Sequence, residues 1–119
     1  MITTTCHCGA VTISVSHPPA TLTNCSCSIC RRYGTLWAYY THDQVTISAK
    51  PGATTSYAWG DKSIRFVRCT ECGCVTHWEP IAAERGHRLG VNARNFDPAQ
   101  LGDVRIRRLD GAVTEQYID

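Results

Sequence analysis

The chain of 119 residues carries 12 basic and 10 acidic side chains, a formal net charge of +2, and charged residues make up only 18% of it. That balance is too even for a surface built to hold nucleic acid, and the length is that of one domain, residues 1–119, rather than two cores. No Asp, Glu, Lys or Arg precedes Arg31, yet Met1–Cys30 has neither the basic start nor the apolar run of a secretory signal, and no stretch reaches the roughly 18 apolar residues of a membrane span.

Strand patterns follow along the chain. Val11, Ile13 and Val15 alternate with Thr12, Ser14 and Ser16, the period-2 pattern of a half-buried strand. His17-Pro18-Pro19 stops it. The aromatic Leu36–Thr41 and the short Val45–Ser48 read as further strands, with a turn at Lys50-Pro51-Gly52. Thr54–Trp59 and Ser63–Cys69 predict a hairpin joined at Gly60-Asp61. Val75–Trp78 is next, then Leu89, Val91 and Ala93 in alternation. Asp97 and Pro98 suit the N-cap and first position of one helical turn. Val104–Arg107 alternates again, and Asp110-Gly111 turns the chain into Ala112–Ile118. The expected class is all-β, with short strands and little helix. A small core of short strands commonly needs staples.

The eight cysteines fall into three groups: Cys6-His7-Cys8-Gly9, Cys25-Ser26-Cys27-Ser28-Ile29-Cys30, and Cys69-Thr70-Glu71-Cys72-Gly73-Cys74. With no secretory signal, a reducing cytoplasm is the expected setting, where such groups hold metal rather than disulfides. Two cysteines with one or two residues between them can grip one tetrahedral zinc, and a glycine after the second eases the turn. Cys6/Cys8 and Cys69/Cys72 both have that glycine and together predict a closed four-thiolate site. The middle group offers three thiolates and no neighbouring fourth ligand. Either the fourth position is open, as in catalytic zinc, or a distant residue closes it, with Cys74, His77 or His42 as candidates.

The three groups in this order resemble the family of glutathione-dependent formaldehyde-activating enzymes, which includes centromere protein V. The stretches carrying the resemblance are Cys6–Val11, Asn24–Gly34, Phe66–Gly73 and Gly90–Pro98. The resemblance implies a zinc-bearing, mainly β fold called the beta-tent and two zinc ions per chain. It implies a structural zinc on Cys6, Cys8, Cys69 and Cys72, and a catalytic zinc with an exchangeable fourth position on Cys25, Cys27 and Cys30. The implied activity is that of a carbon–sulfur lyase joining a small thiol such as glutathione to formaldehyde or a related aldehyde. Cys74 lies outside the seven-cysteine pattern, and the chain is shorter than the glutathione-using members.

Zinc ligation ionises a thiol, and a thiolate is the nucleophile such an addition needs. Glutathione carries two carboxylates, so Arg31 and Arg32, directly after Cys30, are candidate substrate contacts, with Arg94 a third; solvent-facing charge is the plainer reading. Tyr33, Trp37, Tyr39 and Tyr40 are candidates for a pocket wall, or simply core. His77 beside Trp78 reads as packing or as an acid–base group, and His7 as outward-facing. Three rival functions stand beside the enzyme. One is a non-catalytic zinc module that binds or carries a thiol compound. The second is a nucleic-acid binder using Arg65, Arg68, Arg85, Arg88, Arg105, Arg107 and Arg108. The third is a redox sensor.

Overall fold

The computed structural model describes residues 1–82 and 88–119. In chain order its elements are β1 (Ile2–Thr5), β2 (Val11–Val15), β3 (Thr21–Cys25), α1 (Ser28–Tyr33), β4 (Trp37–Thr41), β5 (Val45–Ala49), β6 (Thr54–Tyr57), β7 (Ile64–Cys69), β8 (Val75–Pro80), β9 (Arg88–Asn92), α2 (Pro98–Leu101), β10 (Arg105–Asp110) and β11 (Gln116–Tyr117). The expected mainly β class holds. Among the described residues no helix is long and apolar enough to cross a membrane.

Three strands form an antiparallel sheet in the order β1-β2-β5. Val11, Ile13 and Val15 are fully buried while Thr12 and Ser14 are not, so the alternation of β2 sets which face packs. The other strands form an eight-stranded sheet, β11-β10-β3-β4-β9-β8-β7-β6. Its strands pair antiparallel except β3 with β10. That parallel pair joins segments far apart in sequence and sets Leu109 opposite Cys25.

Strand β4 explains its own aromatic run. Leu36, Ala38 and Tyr40 pack into one core with Val11, Ile13, Leu22, Val91 and Phe96. Trp37 and Tyr39 point the other way, into a second cluster with Cys25, Cys30 and Phe66. A strand buried on both faces carries no polar alternation. The three cysteine groups therefore divide between two cores: Cys6 and Cys69 lie in the first, Cys25 and Cys30 in the second.

Several boundaries differ from expectation. β1 has one apolar residue among threonines and β3 places Leu22 and Thr23 side by side in burial, so neither shows a period. Ser28–Tyr33, to which the sequence pattern assigns no element, is a helix: the Cys27 side chain caps its start and Gly34, at φ 67°, its end. The predicted hairpin is shorter than expected, its last pair being Tyr57 with Phe66. Ala93 opens a 3-10 turn instead of extending β9. Of Ala112–Ile118 only Gln116–Tyr117 pairs as strand. The expected helical turn at Pro98 is present, and Asp97 and Gln100 complete a capping box.

One partly buried network stiffens the β7–β8 pair. Arg65 stands opposite Glu79 and donates to its Oε2 from Nε at 3.2 Å and Nη2 at 2.9 Å. His77 Nε2 donates to Glu79 Oε1 at 2.7 Å, and its Nδ1 lies 2.8 Å from Thr76 Oγ1. The His77 and Arg65 donors, against the opposing effect of burial, hold the Glu79 carboxyl down to about 2. A depressed folded-state value contributes stability above the unfolded value near 4.5 and loses it as pH falls toward about 2. Glu79→Gln should therefore cost about 1–2 kcal/mol near neutral pH, the figure reduced for solvent screening. Urea unfolding of both proteins should give a gap that narrows as pH falls below about 4.5. A gap that instead widens below that pH contradicts this assignment.

Candidate metal centres

The first centre is built by two similar turns. Cys6 follows β1 directly, and Gly9, at φ 85°, lets the chain fold back so that its N–H donates to the Cys6 carbonyl at 3.1 Å. Cys69 ends β7, and Gly73 N–H donates to the Cys69 carbonyl at 3.0 Å in the same way. The sulfurs of Cys6, Cys8, Cys69 and Cys72 all lie within 4.8 Å of one another. Cys6 and Cys8 are 3.7 Å apart, and Cys8 and Cys69 are 3.5 Å apart. A disulfide needs about 2.05 Å, whereas the edge of a zinc–thiolate tetrahedron with 2.3 Å bonds is about 3.8 Å. The spacing fits a shared ion. Val11 N–H donates to the Cys6 sulfur at 3.4 Å, a partner that favours a thiolate. Cys72 is lowered to about 5 by the backbone N–H groups of Cys74 and Cys8. Cys74 stands outside the set: its sulfur takes the backbone N–H of His7 and lies beside Cys72.

The second centre gathers Cys25, Cys27 and Cys30, with sulfurs again within 4.8 Å of one another. Cys25 ends β3, Cys27 caps α1, and Cys30 lies in its first turn. The helix does the gathering, because Cys30 N–H donates to the Cys27 sulfur at 3.4 Å. Trp37 Nε1 donates to the Cys30 sulfur at 3.2 Å, which gives a buried indole its partner. Cys25 is lowered to about 6, first by the Cys30 thiol donating to it and then by the Cys27 and Gly111 N–H groups, against burial. Cys30, as that donor and as a buried group, is raised. Among the described residues no fourth His, Cys, Asp or Glu joins the three. His42 and His77 line a different cavity, of about 560 Å³, together with Arg65 and Glu79.

The three sulfurs open onto a cavity of about 500 Å³ whose walls include Trp37, Tyr39, Phe66 and Trp78. Burial raises the Tyr39 phenol to about 12, so it keeps its proton at neutral pH. Tyr33 packs beside Phe66 at 5.7 Å, and Tyr40 belongs to the other core. Arg31 is exposed, Arg32 Nη1 donates to the Ser28 carbonyl at 2.8 Å, and Arg94 Nε donates to the Gly34 carbonyl at 3.0 Å. None of these three arginines lines the cavity. The arginine stripe is interrupted by pairing: Arg65 meets Glu79, and Arg105 and Arg107 meet Asp119. Arg85 lies outside the described residues.

Two glycines make room for this site. Gly90 pairs with Trp78, whose indole occupies the space a β-carbon at position 90 would need. Gly111 lies against Cys25: a β-carbon there would collide with its sulfur and come 3.1 Å from Cys27 Cβ. Its sequence signal, an Asp-Gly pair, reads only as a turn. Gly111→Ala should therefore displace Cys25 and lower the metal bound at this centre by roughly an equivalent, with little change in far-ultraviolet circular dichroism. Elemental analysis giving undiminished metal in the variant contradicts the close approach.

The family model for glutathione-dependent formaldehyde-activating enzymes matches residues 1–106. The crystal structure of a Rhodobacter sphaeroides protein superposes with a TM-score of 0.71 at 30% identity, over 88% of this chain and 99% of that one. No curated protein sequence matches the chain. The family model spans all three cysteine groups, so the chain belongs to the family of glutathione-dependent formaldehyde-activating enzymes.

Proposed function

We propose that this protein is a zinc-dependent enzyme that adds a small thiol, glutathione or a relative, to formaldehyde or a related aldehyde. The observation that carries this reading is the three-sulfur cluster of Cys25, Cys27 and Cys30, without a fourth protein ligand among the described residues, at the head of a cavity. Cys25, Cys27 and Cys30 would hold one zinc, and Cys6, Cys8, Cys69 and Cys72 a second, structural one. Zinc on three thiolates would supply an open position where a substrate thiol ionises at neutral pH.

The chain's own groups do the rest. The Trp37 indole N–H fixes the Cys30 sulfur and spreads its charge. The aromatic walls give the aldehyde a largely apolar lining. Tyr39 Oη stays protonated within the lining. In the addition, a bond forms between the thiol sulfur and the aldehyde carbon. The carbonyl oxygen takes a proton, and the thiol has given one up. The product is an S-hydroxymethyl thioether, a poorer metal donor than a thiolate, which favours its release. A cytoplasmic setting would keep the substrate thiol and the cysteines reduced.

The test is the rate of S-hydroxymethyl adduct formation from glutathione and formaldehyde, followed where the spontaneous reaction is slow. Zinc-loaded protein should exceed both buffer and metal-stripped protein. Saturable glutathione binding with no acceleration would instead support the carrier.

A further inference from the structure

We infer that Arg88 holds the carboxylate of the thiol substrate, so that the site selects thiols bearing a free carboxylate over neutral ones. The inference rests on the reading that a thiol occupies the cysteine cavity. That cavity borders a groove of about 410 Å³ lined by Ser63, Ile64, Trp78, Pro80 and Arg88. Ser63, Ile64 and Trp78 line both spaces. A ligand with its sulfur at the cysteines therefore has a path along Trp78 that ends at a guanidinium.

Arg88 is set for that task. It opens β9 opposite Thr41, and its Cζ lies 4.3 Å from the centre of the Tyr39 ring. Stacking on an aromatic face holds the guanidinium flat and leaves its edge N–H groups for a carboxylate. Among the described residues Arg88 forms no ion pair, whereas Arg65, Arg105 and Arg107 are each matched by a carboxylate. Tyr39 also walls the cysteine cavity, so one ring links the sulfur end to the cation.

The charges nearer the sulfurs give direction. Asp61 and Glu115 line the cysteine cavity, and none of the described arginines or lysines does. A carboxylate is repelled from the inner space and drawn to the outer groove. The sulfur, which bears no fixed charge before ionisation, goes inward.

The experiment titrates zinc-loaded protein with glutathione and with its diethyl ester, in which both carboxylates are blocked. Tryptophan fluorescence reports binding, since Trp37, Trp59 and Trp78 all line the cavity. The wild type should favour glutathione. Arg88→Ala should weaken glutathione about tenfold, as expected for one charge-assisted contact near solvent, and the ester less than twofold. Arg88→Lys should fall between, keeping the charge and losing the planar fork. Equal affinity of the wild type for both ligands, or unchanged glutathione binding by Arg88→Ala, overturns the assignment. So does an absence of saturable glutathione binding, even where a neutral thiol such as 2-mercaptoethanol is turned over. Discrimination at Arg88 without any adduct formation leaves the assignment standing and removes the proposed activity.

Discussion

Replacing Cys69 or Cys72 with serine should leave a chain that does not fold. Cys69 is 1% exposed and packs in the larger core with Cys6, Val11 and Leu22. It ends β7, and the partner turn at Cys6 leads into β2, so an ion held there would tie the two sheets together. A structural zinc contributes on the order of 10 kcal/mol to folding in small domains. The whole stability of such a domain is about 5–15 kcal/mol, so losing the ion consumes most or all of it. Circular dichroism of either variant should show an unfolded chain, and a strong chelator should do the same to the wild type. A Cys72→Ser protein with a native spectrum and a cooperative melt would reverse the division of labour between the two centres.

Cys27→Ser should have the opposite outcome: a folded protein that has lost one metal and at least about 100-fold of its thiol–aldehyde acceleration. Cys27 is half-buried and serves as the N-cap of α1, accepting from Cys30 N–H. Serine is a preferred residue at that position, so the helix keeps its start. The second cluster is also the smaller of the two cores. What serine cannot supply is a thiolate, and two sulfurs do not make a stable zinc site. Rates measured beside the melting curve separate the two effects. Full activity in a Cys27→Ser protein, or its failure to fold, would refute the assignment.

The cysteine groups were legible because their logic is local. Pairs such as Cys6/Cys8 and Cys69/Cys72 are bent inward by turns a few residues long, and the glycines that permit those turns are neighbours in sequence. The alternation in β2 was legible for the same reason. What failed to show depends on distance along the chain. The parallel pairing of β3 with β10 brings Gly111 against Cys25, and no local pattern announces a contact of that span. The helix at Ser28–Tyr33 is too short to carry a period. It also defeats the argument from adjacency for Arg31 and Arg32: each step along a helix turns about 100°, so residues just after Cys30 leave on other faces. Arg88 is remote from every cysteine in sequence and reaches the groove beside the cavity because β9 lies between β4 and β8.

Native mass spectrometry of the purified chain, with and without glutathione, tests the central claim most directly. The expected mass is that of the chain with two zinc ions, gaining one glutathione while both ions stay bound. A chain that holds a single zinc ion, or that takes up glutathione only after losing one, would contradict a closed four-sulfur centre standing beside an open three-sulfur one.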